Sequence, residues 1–120
     1  MTIYTEGPIV SKMLTVPLGV PGVNVEIFEN TYEVILTYLP NATNPRSCNF
    51  GFSAETTVDL VSTDANAGQF AATTSAPQTY TIEPSTRRPL GKTMYLVAQL
   101  TKAPSGDNHL CVTQIVGGNT

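Results

Sequence analysis

Apolar positions along this chain recur at intervals of two, in runs of five to ten residues, which is the spacing of strands rather than helices. Ile9 to Val16 predicts a first strand, with an extended lead from Thr2 to Pro8. Val23 to Glu29 predicts a second, with Val23, Val25 and Ile27 on one face. Asn30-Thr31 then reads as a two-residue turn into Tyr32 to Leu39, apolar on both faces and therefore expected at the centre of a sheet. Short strands follow at Cys48 to Phe52, Thr56 to Ser62, Gln69 to Thr73 and Thr79 to Glu83. In the Thr56 strand Val58 and Leu60 are expected inside and Asp59 outside. Thr93 to Lys102 and His109 to Val116 read as a hairpin across the loop Ala103 to Asn108.

Between the first two strands lies Pro17-Leu18-Gly19-Val20-Pro21-Gly22. Two prolines and two glycines in six residues exclude a helix or a regular central strand. Residues 1–22 are therefore expected to form an extended N-terminal arm, and residues 23–120 a sandwich. On that arm Ile9, Val10, Met13 and Leu14 carry apolar surface to bury against a neighbour, and Pro17 and Pro21 break the chain. The expectation is one all-β domain of about eight short antiparallel strands, a β-sandwich or jelly roll.

Composition agrees with the pattern. Thr, Val and Ile make up 35 of 120 residues, and side chains branched at Cβ favour the pleated surface over the helix. The chain is long enough for one core and too short for two ordinary domains. No run approaches the ~20 apolar residues of a helical membrane span. No signal peptide is visible at the start.

Charge changes the picture. Only 12% of residues are charged, about half the ~25% usual in soluble domains. Such a surface suits a protein covered by neighbours or working outside the cell. The net charge is −3, and Arg87-Arg88 is the only basic pair, so a nucleic-acid partner is not expected. The tail Gly117-Gly118-Asn119-Thr120 is expected to need contacts from neighbouring chains to be ordered.

Few residues carry candidate chemistry. Cys48 and Cys111 form either a disulfide or two buried thiols. The hallmarks of an immunoglobulin domain are missing: there is no Trp, and His109 stands where the Tyr would precede the second cysteine. His109 is the single histidine, so two cysteines and one histidine cannot complete a structural zinc site. Asp107 lies near His109, but no G-x-S-x-G elbow exists. Asp64 to Gly68 opens like a calcium loop, yet Gln69 and Ser75 stand where Gly and Glu are required. Glu26, Glu29 and Glu33 cluster without aromatic lining, and Asn41-Ala42-Thr43 is a glycosylation sequon. No catalytic, cofactor or metal site is expected, and no membrane or small-molecule partner.

These readings predict a non-enzymatic structural protein that self-associates or binds a larger protein shell. The expected role is a virion component decorating or cementing a capsid, and the expected location a virion or extracellular assembly. The alternative is an extracellular binding module or a filament or pilus subunit, immunoglobulin-like or lectin-like.

Overall fold

The computed structural model describes residues 4–60, 67–71, 76–83 and 93–119. Eight strands follow one another: β1 (Tyr4–Thr15), β2 (Val23–Ile27), β3 (Thr31–Leu39), β4 (Cys48–Ser53), β5 (Ala67–Phe70), β6 (Gln78–Ile82), β7 (Met94–Leu100) and β8 (His109–Asn119). They form two four-stranded antiparallel sheets. The front sheet runs β1-β8-β3-β6 and the back sheet β2-β7-β4-β5. Within them β1 pairs with β8, β2 with β7, β3 with β6 and β4 with β5. The first half of the chain thus pairs with the second half run backwards. An antiparallel double ribbon wrapped in this way is a jelly roll.

This pairing overturns two local expectations. Thr93 to Lys102 and His109 to Val116 are not a hairpin, because β7 belongs to the back sheet and β8 to the front. Asn30-Thr31 likewise leads from the back sheet into the front one. In both cases the connecting residues are turn formers, but the strands they join find better partners in the other half of the chain. The prediction of a central strand at Tyr32 to Leu39 holds, since β3 lies between β8 and β6.

Residues 4–22 are not an arm separate from the sandwich; residues 1–3 of that expectation lie outside those described. Tyr4–Thr15 is strand β1, paired with β8 along most of its length, and Leu14 and Val16 are in the core. Pro17 to Gly22 carries the chain from the front sheet to the back one. Leu100 donates its N–H to the Pro17 carbonyl (2.8 Å), and Gly19 donates to the Leu100 carbonyl (3.0 Å). Gly22 has a φ of 69°, and a Cβ there would meet the Ala98 carbonyl oxygen at 2.8 Å, so the crossing requires glycine. Three residues of the tail pair with the chain's own first strand: Gly117, Gly118 and Asn119 lie opposite Glu6, Thr5 and Tyr4, and Thr120 lies outside the described residues.

The core fills the space between the sheets. Along β3, Val34, Leu36 and Tyr38 point inward, and along β8 Leu110 and Val112. Met94, Leu96, Ala98 and Leu100 of β7 face them. On the β5–β6 side Phe70 stacks on Tyr38 (ring centroids 5.4 Å), and Phe50 packs between Phe70 and Tyr80.

One end is tied by a buried asparagine. Asn108 Oδ1 accepts the N–H groups of Asn41 (2.8 Å) and Arg46 (3.4 Å), and its Nδ2 donates to the Gly106 carbonyl. The Asn108 carbonyl accepts the Val16 N–H at 2.9 Å. Removing this side chain orphans buried main-chain groups in two loops. Asn108→Ala should therefore lose roughly 2–3 kcal/mol of stability. The check is a lower urea midpoint with an unchanged slope.

Candidate functional site: an open front face beside an edge groove

The two outer faces of the sandwich are treated differently by the chain. After β4, residues 54–60 run across the outside of the back sheet instead of forming the strand expected from Thr56 to Ser62; residues 61 and 62 of that expectation lie outside those described. A row of side-chain amides holds the segment down. Asn24 Nδ2 donates to the Thr56 carbonyl, Gln99 Nε2 to Asp59 Oδ1 and Asn49 Nδ2 to the Leu60 carbonyl. Leu60 is buried, as the alternation predicted, and Val97 is fully buried although it points away from the core.

The front face has no such cover among the described residues. Its rows follow from the strand register. Ile9, Ile115 and Glu33 lie side by side, then Ser11, Thr113, Ile35 and Thr81. Met13, Cys111, Thr37 and Thr79 form the next row, and Thr15, His109 and Leu39 the last. Across these four rows the ionisable side chains are Glu33, His109 and Cys111. Ile9 is 66% exposed and Met13 54%. The polar groups are partly satisfied sideways: Ser11 Oγ lies 2.9 Å from Thr113 Oγ1, and Thr15 Oγ1 3.4 Å from His109 Nδ1. Covering such a face strands few hydrogen-bonding groups, so it costs little in desolvation.

The residues expected to form an arm divide by alternation. Ile9 and Met13 stand on the open face, Leu14 is in the core, and Val10 points inward at the edge of the front sheet. Pro17 and Pro21 lie in the crossing between sheets, where Leu18 and Val20 are half exposed.

Cys48 and Cys111 are not bonded to each other. Cys48 points into the core from the back sheet, whereas Cys111 stands on the outer side of the front sheet between the buried Leu110 and Val112. A whole sheet separates them, which sequence spacing does not reveal.

Other candidates disperse. The hydrogen-bond partner of His109 is Thr15, not an acid or a serine in a cleft. Glu26 lies on the back sheet, Glu29 in the turn after β2 and Glu33 on the front face, so they share no site. Asn41 of the sequon accepts from Thr43 and Asn44 and donates to the Asp107 carbonyl, with its amide packed on Gly106. That amide is an internal brace. Most of Asp64 to Gly68, Ser75 and the Arg87-Arg88 pair lie outside the described residues. No cluster of metal-ligating side chains occurs among the described residues.

A feature that strand counting missed is a groove of about 330 Å³ between the facing edges β1 and β2. Val10, Lys12, Glu26, Phe28, Tyr95 and Gln114 contribute to its walls. Gln114 sits where alternation predicts a core residue, between Val112 and Val116. Its Oε1 accepts the Phe28 N–H (3.0 Å) and the Thr31 hydroxyl (2.9 Å), and its Nε2 donates to the Glu26 carbonyl (3.0 Å). It ties the front sheet to the end of β2. A glutamine at an inward position of a strand was the available signal. No nucleophile paired with a base lines this groove.

The two thiols should differ in reactivity. A thiol-specific reagent should label Cys111 in the native protein and reach Cys48 only after unfolding. Burial pushes the Cys48 thiol up from 9.0 to about 12, and burial also raises the Tyr38 phenol. The folded value lies above the unfolded one, so this contribution is complete below pH 9.0 and is lost as pH rises toward about 12. The denaturation midpoint should fall across that window, and Cys48→Ala should flatten part of the fall.

No family model matches the chain, and no curated protein or solved structure shows significant similarity to it.

Proposed function

We propose that this protein is a non-enzymatic assembly subunit, a virion component that decorates or cements a capsid through the open front face of its sandwich. The observation that carries the reading is the contrast between the two faces. Among the described residues, 54–60 cover one sheet, whereas the four rows of the other are left bare, carry few ionisable groups and are studded with Ile9 and Met13. A charged fraction of 12% supports the same reading. Jelly rolls recur in capsid proteins, but also in lectins and cupins, so the topology adds analogy only.

Size bears on the mode of binding. Four strands ~4.8 Å apart and about seven residues long at ~3.3 Å offer roughly 440 Å². That is about half of the ~800 Å² each partner gives to a stable interface. A face of this size suits a subunit bound in many copies, where avidity compensates for weak single contacts.

The groove between β1 and β2 favours a second reading, an extracellular module that takes a small polar ligand between Tyr95, Phe28, Lys12 and Glu26. The readings separate experimentally. Particles purified from the native source should contain the protein at a fixed ratio to the shell subunit. Ile9→Lys combined with Met13→Lys should reduce its recovery on particles at least tenfold while thermal stability changes little. Absence from particles, together with saturable binding of a soluble glycan that Tyr95→Ala abolishes, would replace the first reading by the second.

A further inference from the structure

The edge strand β1 has a property that the face alone does not show. The Val16 N–H reaches the Asn108 carbonyl, and the register from Thr15 opposite His109 to Ile9 opposite Ile115 is unbroken. Hydrogen bonding in an antiparallel pair alternates along the strand. The even residues Val10, Lys12 and Leu14 therefore direct their N–H and C=O groups toward β8. The odd residues Ile9, Ser11, Met13 and Thr15 direct theirs away from the sheet, into open space at its edge. A free row of this kind is a template for another strand.

We infer that two copies of this chain join edge to edge through β1, antiparallel about a twofold axis at Ser11, to make one continuous eight-stranded front sheet. The inference rests on the reading of the protein as an assembly subunit and names its partner as a second copy.

The register follows from the chain. A symmetric antiparallel pair bonded through the free groups sets odd residues opposite odd residues, with either a bonded odd pair or a non-bonded even pair on the axis. With Lys12 on the axis its ammonium group would face its own copy, and with Val10 on the axis Met13 would face Gly7 across the irregularity between Glu6 and Ile9. With Ile9 on the axis, Ser11 would face Gly7 across the irregularity between Glu6 and Ile9. With Met13 on the axis, the pairing would run into Pro17, and Lys12 would lie against Leu14 of the other copy. With Ser11 on the axis, three full pairs form between the irregularity and Pro17: Ser11 with Ser11, and Ile9 with Met13 twice. The two large apolar side chains that the strand exposes on the front face, Ile9 and Met13, then meet across the axis. On the inner face each Lys12 lies opposite Val10 of the other copy, at the mouth of the groove that holds Glu26. Lys12 is thereby kept from meeting its own copy. An inward-pointing lysine on an edge strand discourages indiscriminate pairing, and here it excludes the register with Lys12 on the axis. The joined sheet also doubles the open front face to an area on the scale of a stable interface.

The full chain tests this. Light scattering over a concentration series to the millimolar range should show the wild type at twice the monomer mass. Ser11→Pro removes an N–H that points out of the sheet, and proline is tolerated at such edge positions. That variant should remain monomeric with an unchanged circular dichroism spectrum. Should it unfold, Met13→Glu supplies the reading, by placing a charge against Ile9 of the other copy; it should fold and be monomeric. In a Cys111→Ser background, Ser11→Cys should give dimers with a short bifunctional thiol reagent, while Thr81→Cys on the opposite edge strand should not. A wild type monomeric at millimolar concentration overturns the inference. So does a Ser11→Cys chain that crosslinks no better than Thr81→Cys, or a folded Met13→Glu variant that dimerises as well as the wild type. The outcomes are separable from those of the proposed function: dimers absent from particles leave the inference standing and remove the virion role. Monomers found on particles do the reverse.

Discussion

Each strand in the first half of this chain pairs with the strand equally far from the other end, and the rest of the structure depends on that pairing. Once β4 and β5 are joined, β3 meets β6, β2 meets β7 and β1 meets β8 in turn. Wrapping the ribbon adds two further ladders, β3 with β8 and β4 with β7, and these close each sheet. Almost every connection must then cross from one sheet to the other. The devices found at the ends of the sandwich serve those crossings: glycine at position 22, the main-chain bonds to Leu100, the buried Asn108 and the Gln114 bridge.

The sandwich is closed unequally. Stacked aromatic rings fill the side where β5 and β6 approach. On the other side Lys12 occupies an inward position, and a groove remains between β1 and β2. The faces are unequal too. Amide side chains on the back sheet hold a loop over it, whereas the hydroxyls of the front sheet bond to one another and leave the apolar side chains uncovered. Edge, groove and open face meet at β1, so one strand carries most of what this protein can present to a partner.

Two of the sequence features behind the expected assembly role, the tail and the arm, take a different form in the fold. Gly117, Gly118 and Asn119 of the tail pair with β1 within the chain. The arm is a strand of the sandwich. The low charge and the threonine-rich surface remain, and they acquire a location: the exposed neutral positions converge on the front sheet. An interface built there is a property of register and alternation rather than of a detachable segment.

Much of the architecture was legible because strand formation is written in local chemistry. Period-two alternation placed seven of the eight strands within a few residues, and apolar character on both faces marked β3 as central. The burial of Leu60 and the exposure of Asp59 were also legible, although that segment bonds to amide side chains instead of a ladder. Strand partnership was not legible, because turn residues such as Asn30 or Ala103 to Asn108 permit a hairpin and a crossing equally well. What selects between them is the burial gained when whole sheets stack, and no local window contains that term. The same holds for the cysteines. The sequence by itself determined that Cys48 and Cys111 lie on strands; only the tertiary structure decided that one faces the core and the other the outside. It likewise determined that Ile9 and Met13 share one side of a strand with Ser11. Only the sheet order decided that this side is the open one and that the strand ends at an edge, because burial and edge status depend on neighbours from the far end of the chain.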